Sequence, residues 1–377
     1  MTRRRRILIS MAIALTVAMI AVVASTSWLR SFGAVPSGAR LERMRHSAQF
    51  REGKFRNLVP TNMMAPGSFF AMLRHQLFGG EERVPKQPIS VVMHEASDYA
   101  APPSGLRATW IGHASTLVEI DGRRVLTDPI WSARCSPSTW LGPKRFHPPP
   151  LALEALPAID AVVISHDHFD HLDMATVKAL ATRGARFAVP LGVGAHLEAW
   201  GIPPAQIAEL DWNESADIAG LRLTATPARH YSGRNPLRKD NTLWASWVVQ
   251  GPRHNFFFSG DTGYFEGFKT IGDTYGPFDL ALIKIGACDV TWPDIHITPE
   301  EAVQVFLDVR GKLLLPVHWG TFNLAFHAWN DPAERVLAAA RTVGAHLVVP
   351  KPGQFVELPA SETSVDPWWR AKAGPSR

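Results

Sequence analysis

The chain has 377 residues, 46% of them hydrophobic and 19% charged, which is ample material for a large core and excludes an intrinsically disordered chain. The formal net charge of +5 comes from the first thirty residues, where Arg3, Arg4, Arg5, Arg6 and Arg30 stand without an acid. Residues 31–377 are left with 34 basic and 34 acidic groups, so no counterion-displacing face is expected and a nucleic-acid partner is disfavoured. Two cysteines, Cys135 and Cys288, exclude a disulfide framework and a thiolate zinc finger.

After the four arginines the chain runs uncharged from Ile7 to Ala24, eighteen residues reading ILISMAIALTVAMIAVVA. That length spans a bilayer, and the arginines predict a cytoplasmic N-terminus with the body on the far side, the periplasm in a bacterium. The alternative is a signal peptide cut after Val22-Val23-Ala24, and Arg4-Arg5-Arg6-Ile7-Leu8 also fits a twin-arginine export signal. Residues 1–30 are therefore expected as an anchor or signal segment, and 31–105 as a tether and membrane-proximal extension. Within the latter, 31–60 is mixed and basic without periodicity, and predicts no core. Gly67 to Phe78, GSFFAMLRHQLF, sets Phe69, Phe70, Met72, Leu73, Leu77 and Phe78 around a helix between two turn signals. It is expected to pack on the domain; its alternative is a helix lying in a lipid interface beside Arg74 and Arg83.

From Leu106 to residue 360 the pattern becomes that of a catalytic domain, with 361–377 a C-terminal tail. Arg107–Ile111, Thr116–Ile120 and Arg123–Thr127 predict strands, the last two joined by a tight turn at Asp121-Gly122. Ala161–Ile164 and Arg186–Val189 predict strands on either side of a helix near Met174–Thr182, capped by Asp173 and stopped at Gly184. Further strands are expected at Leu221–Thr226, Leu243–Gln250, Asn255–Phe258, Leu280–Ile285, Lys312–Val317 and His346–Val349. Thr298-Pro299-Glu300-Glu301 starts another helix with a capping box and proline at its first position. Many strands and few helices predict two sheets covered by helices, a layered α/β arrangement.

The densest cluster of donor side chains is His166-Asp167-His168-Phe169-Asp170-His171, directly after the apolar strand AVVIS. An extended segment that turns sharply can aim His166 and His168 at one cation and bend Asp170 and His171 round to a second. The plain alternative, a loop of solvated or helix-capping histidines, does not call for four such residues on one strand-to-helix turn. Three more donors stand just past apolar strands: His230 after LRLTATPAR, Asp261 after FFFSG and His318 after KLLLPV. Ligands at strand ends can converge in one crevice although far apart in sequence. The expected set is His166, His168 and His230 on one cation, Asp170, His171 and His318 on the other, and Asp261 between them. Imidazole and carboxylate suit two zinc ions and also accept iron or manganese.

The HDHFDH run with His230, Asp261 and His318 resembles the metallo-β-lactamase superfamily, which implies an αββα sandwich. More narrowly, TWIGHASTLVEI at 109–120, LTDPIWS at 126–132, SPSTWLGPKRF at 136–146, ELDW at 209–212, FFFSGDTGY at 256–264, GPFDLALIKIGA at 276–287 and HWGTF at 318–322 are similar to the N-acyl-phosphatidylethanolamine-hydrolysing phospholipase D group. That resemblance covers roughly residues 50–357 and implies a dizinc phosphodiesterase releasing N-acylethanolamine and phosphatidic acid. His296, in DIHITPEEAV, matches a family histidine near the substrate phosphate; beside a helix start, it stands where an anionic phosphate is stabilised. Asp170 and His296 are accordingly expected in the catalytic step, and His113 and Asp128 are expected to orient ligand imidazoles rather than bind metal. Region 50–105 matches the group only in fragments such as FRNLVPT, and the leading apolar segment is this chain's own.

These observations favour a membrane-associated phosphodiesterase acting on N-acylated phospholipids. The alternatives are a hydrolase of another ester, such as a lactone, cyclic nucleotide or sugar phosphate, and an envelope protein that keeps metal for structure and binds lipid without turnover. A β-lactam hydrolase is disfavoured, because Asp261 stands where several β-lactamases use cysteine.

Overall fold

The computed structural model describes residues 5, 15, 16, 28–101, 103–235, 238–359 and 365–370. The expected anchor, Ile7 to Ala24, lies outside the described residues apart from Leu15 and Thr16. Among the described residues no helix is long and apolar enough to cross a membrane.

Residues 31–60, expected as a tether, are packed on the domain. They hold helix α1 (Gly38–His46) and the short antiparallel pair β1 (Phe50–Arg51) and β2 (Lys54–Phe55). Met44 and Phe55 are buried in the main core, and Arg40 reaches Glu198 and Glu209, each at 2.6 Å. Isolated apolar residues and an arginine between two carboxylates make this contact, so no periodic stripe announces it. Helix α2 (Ser68–Phe78) departs from expectation in the opposite sense, since only Ser68 is buried. Phe69, Phe70, Leu77 and Phe78 are 63%, 78%, 63% and 80% exposed. The helix is held near its two ends instead: ahead of it the Ala65 N–H donates to the Thr291 carbonyl, and in its last turn the His75 ring lies against Phe326.

From Leu106 onward two sheets face each other. The first carries β3 (Leu106–Gly112), β4 (Ser115–Ile120), β5 (Arg123–Thr127), β6 (Ala161–Val163), β7 (Arg186–Pro190) and β8 (Ile207–Leu210), with α3 (Met174–Thr182) after β6 and α4 (Gly194–Ala199) after β7. The second is built from β9 (Ser215–Ile218), β10 (Leu221–Thr226), β11 (Ser246–Gln250), β12 (Asn255–Phe258), β13 (Leu280–Lys284) and β14 (Leu314–Val317). Helices α5 (Gly267–Tyr275), α6 (Pro299–Asp308) and α7 (Asp331–Val343) belong to this half, and β15 (Phe355–Leu358) returns to the first sheet. The strand orders are β15-β3-β4-β5-β6-β7-β8 and β14-β13-β12-β11-β10-β9.

Strand alternation sorts the core into two compartments. In the first sheet Trp110, Val118, Val125, Ala161 and Val163 point between the sheets, where they meet Trp247, Phe256 and Leu282. Their neighbours Ile111, Leu117, Leu126 and Val162 point the other way and pack with Val177 and Leu180 of α3 and Leu197 of α4. Both faces of the central strands are dry, which is why they read as unbroken apolar runs. Asp121 and Gly122 both take positive φ, as a two-residue hairpin turn of type I′ needs. The Asp173 carboxylate caps α3 by accepting from the Ala175 N–H, a bond worth about 1 kcal/mol.

Two further expectations change. His346–Val349 forms only an isolated bridge, Leu347 beside Leu314. In the tail, Trp369 is buried and its indole donates to Glu334 at 2.8 Å, while the Trp368 indole donates to the Val349 carbonyl, so Val365–Arg370 is tied to the domain. Strands β5 to β8 run parallel, as do β12 to β14, and the loops leaving their C-terminal ends meet at one edge of the sandwich.

Candidate metal centre

The loop after β6 is shaped by buried polar partners on other strands. Asp128, at the end of β5 with a φ of 33°, accepts from the Ser165 N–H and hydroxyl, both at 2.6 Å, and holds His171 Nδ1 at 2.7 Å. A proton held on His171 Nδ1 leaves Nε2 to face inward. Asp167, the one polar member of the run outside the expected ligand set, turns away: it accepts from the Gly233 N–H at 2.7 Å and lies 3.3 Å from His196 Nε2. Arg234 braces the same turn, donating to the carbonyls of Asp167 and Leu172 with its guanidinium 4.0 Å from the Phe169 ring centroid.

Donors from other strand ends converge on this loop. His166 Nε2 and His168 Nδ1 are 2.8 Å apart, and the atoms of His166, His168 and His230 form one close group. His318 Nε2 lies 3.1 Å from His171 Nε2 and 3.5 Å from Asp170 Oδ2. His113 joins this second group, its Nε2 3.0 Å from Asp170 Oδ2 and its carbonyl accepting from the His318 N–H at 2.8 Å. Asp261 spans both groups: Oδ2 is 3.4 Å from His171 Nε2 and 3.8 Å from His230 Nε2, and Oδ1 is 3.1 Å from His318 Nε2. Gly260 permits that approach, because at its φ of 54° a Cβ is strained and would overlap the Ser165 side chain.

These residues fit a pair of divalent cations on their own chemistry. His230 Nδ1 is 3.0 Å from the Ile295 carbonyl, which places the proton there and leaves Nε2 as an acceptor; that Nε2 is buried without a hydrogen-bond partner, as is Asp261 Oδ1. Orphaned acceptors this deep are costly unless something positive meets them. Burial holds the His166 and His230 imidazoles well below their usual pKa, the neutral state in which histidine ligates. Burial opposes charge on Asp261 and Asp170 as well, but neighbouring histidines outweigh it and hold both carboxyls well below the usual range. His113 is driven to about 3, mainly by burial.

His296 sits beside this centre, its Nδ1 3.7 Å from Asp261 Oδ2 and in contact with Lys284 Nζ. The helix start expected to help a phosphate is already occupied. Thr298 Oγ1 accepts from the Glu301 N–H, and the Glu301 carboxylate folds back to accept from the Thr298 N–H at 2.8 Å, with Glu300 alongside. Two acids in the first turn cancel the attraction for an anion, so stabilisation from this side falls to the His296 ring itself.

Three contributors go beyond the sequence reading. Asn57 accepts from the His230 N–H and donates to its carbonyl, clamping that backbone on both sides; its only sequence signal is the string FRNLVPT. Arg234 carries no pattern at all. Lys284 is marked as a lone cation ending the apolar strand LALIK. Above the donors opens a cavity of about 790 Å³, lined by His168, Asp170, Asp261, His296 and His318 at its floor and by apolar side chains including Phe32, Met64, Met72 and Trp292.

A sequence profile for the β-lactamase superfamily domain matches residues 123–319. The chain belongs to that superfamily. An uncharacterised protein of Mycobacterium tuberculosis is 49% identical over 334 residues, 86% of this chain and 88% of the relative. The N-acyl-phosphatidylethanolamine-hydrolyzing phospholipase D 1 of Caenorhabditis elegans is 39% identical over 262 residues, covering 66% of this chain and 73% of that enzyme. Among solved structures, Igni18, a metallo hydrolase of the archaeon Ignicoccus hospitalis, is 25% identical with a TM-score of 0.52, covering 67% of this chain and 97% of the other. As a member of the β-lactamase superfamily with these relatives, the chain is a metal-dependent hydrolase of metallo-β-lactamase fold.

Proposed function

We propose that this hydrolase is a two-metal phosphodiesterase of phospholipase D type, cleaving N-acyl-phosphatidylethanolamine to N-acylethanolamine and phosphatidic acid at a membrane surface. The observation that carries this reading is the apolar mouth of the cavity. Met72 of α2 lines it, while Phe69, Phe70, Leu73, Leu77 and Phe78 of the same helix stand exposed. Trp140, 73% exposed, and Val290, 83% exposed, stand on loops whose neighbours Pro137, Pro143, Ala287 and Trp292 also line the cavity. An apolar patch at the mouth of a polar site suits a substrate with a buried phosphodiester and acyl chains that remain in lipid. The 39% identity to the Caenorhabditis elegans enzyme, named for that lipid, supports the same choice.

His166, His168 and His230 would hold one cation, Asp170, His171 and His318 the other, and Asp261 would reach both; zinc suits these donors, and iron or manganese is accepted by the same set. When bound, such a pair lowers the pKa of water and neutralises charge on the phosphate. The chain's own groups do the rest. Asp128 and His113 keep His171 and Asp170 oriented, and Asp170, at the cavity floor, takes part in moving the proton of the attacking water. The water oxygen bonds to phosphorus, the bond to the ethanolamine oxygen breaks, and that oxygen leaves carrying a proton. His296 donates to a phosphoryl oxygen as its charge grows.

The apolar run Ile7 to Ala24 supports an anchored body on the non-cytoplasmic side, or an exported one after cleavage, with the bilayer as partner. Lipid mass spectrometry of purified protein incubated with N-acyl-phosphatidylethanolamine or ordinary phosphatidylethanolamine tests the reaction. Metal-dependent N-acylethanolamine and phosphatidic acid from the first lipid are expected, and turnover of neither would overturn it. Replacing Phe70 and Phe78 together with Asp is expected to lower turnover in vesicles at least about tenfold while leaving a soluble short-chain phosphodiester unaffected, since each fully buried phenylalanine is worth roughly 1.5–3 kcal/mol. Equal loss on both substrates would remove the helix from membrane contact.

A further inference from the structure

Lys284 ends β13, in the second sheet between β12 and β14, and its side chain is fully buried. Among the described residues it makes no ion pair; its ammonium donates to the Gly286 carbonyl at 3.0 Å and meets His296 Nδ1. The nearby Asp261 favours the charge through space but does not pair with it, so taking this ammonium out of water is expensive, and an apolar strand that ends this way has a use for the charge. Replacing it with a methionine of similar volume would remove that cost.

The use follows from donor arithmetic. An ammonium carries three donors and no lone pair, so the imidazole nitrogen facing it must be the acceptor. In a neutral ring the proton then sits on the other nitrogen. With Nδ1 held from below by Lys284, Nε2 carries the N–H, and His296 is the residue of this pair that lines the cavity. A free imidazole divides its proton between the two nitrogens and rotates; this one has a single tautomer and a fixed plane. The Gly286 carbonyl matters equally, since a second acceptor fixes where the ammonium lies. The capped start of α6 offers no substitute, because its first N–H groups are taken by Thr298 and Glu301.

We infer that Lys284 is a positioning residue for turnover: it locks His296 in the Nε2–H tautomer, so that a neutral histidine presents a hydrogen-bond donor to the phosphoryl oxygens. The inference rests on the reading of His296 as a group acting on a phosphodiester.

The test pairs a tautomer measurement with kinetics on the zinc-loaded full-length protein. Nitrogen-15 NMR of the histidine rings, with His296 identified by its disappearance in His296→Gln, is expected to show Nδ1 unprotonated and Nε2 protonated. Lys284→Met should move that signal to a mixture of tautomers, keep the metal content, raise or preserve the melting temperature, and lower kcat on N-acyl-phosphatidylethanolamine about 10- to 100-fold with KM little changed. Lys284→Gln, which restores a donor one bond shorter, should recover part of both the tautomer and the rate. A wild-type ring protonated on Nδ1, an unchanged tautomer in Lys284→Met, or an altered tautomer with undiminished kcat each overturns the proposal. A merely structural lysine would instead lower the melting temperature and leave the tautomer alone. If the wild-type protein turns over no N-acylated phospholipid, the substrate reading fails, and the NMR arm still decides whether Lys284 sets the ring.

Discussion

Asp261→Asn is expected to strip both cations from the protein and abolish hydrolysis, more completely than loss of any single histidine. Its carboxylate lies within 4 Å of members of both donor groups, at 3.4 Å from His171, 3.8 Å from His230 and 3.1 Å from His318. It is also fully enclosed, so its negative charge acts through a medium that screens it weakly. An amide of the same shape keeps one acceptor but gives up the charge that would oppose two dications. His168→Ala should remove metal and activity together as well, but mainly through the group it shares with His166 and His230. Metal content by elemental analysis, run beside the rate, is the measurement. An Asn variant that still carries two metals per chain would remove Asp261 from the bridging position.

His296→Ala should separate the two quantities that Asp261→Asn removes together. His296 belongs to the cavity floor within reach of His230 and Asp261, but its Nδ1 is occupied by Lys284 and it is no member of the two expected ligand sets, which stay whole without it. Both metals should remain. Turnover should fall by about 10² to 10³, the usual cost of one hydrogen-bond donor aimed at charge that grows in the transition state. Only an interaction stronger in the transition state than in the bound ground state lowers kcat in this way, so KM should move much less. Near-normal turnover on a lipid with an ordinary leaving group would return His296 to a plain residue flanking a helix. Combined with Lys284→Met the losses should not add, since the lysine acts through the ring; additive losses would separate the two residues.

What made the strands and the donor set legible was that both are local. A strand with two dry faces must be an apolar run, as AVV of β6 and LALI of β13 are, and the residue that follows it must stand at the sheet's end. Covalent order alone therefore puts His166, Asp261 and His318 at strand ends, and six residues of one turn supply four donors. Partnership is not local. Nothing in the sequence joins Asp128 to His171, Asn57 to the His230 backbone or Lys284 to His296, because each pair meets only when the strands lie side by side. The same limit explains both reversals at the N-terminal end. Met44, Phe55 and Arg40 look like parts of a tether because their partners are remote, and α2 looks like a packed helix because an apolar stripe is normally covered. Whether apolar surface is buried depends on what else the fold brings to it. Here the fold brings Glu198 and Glu209 to Arg40, and leaves the phenylalanines of α2 standing beside the mouth of the metal centre.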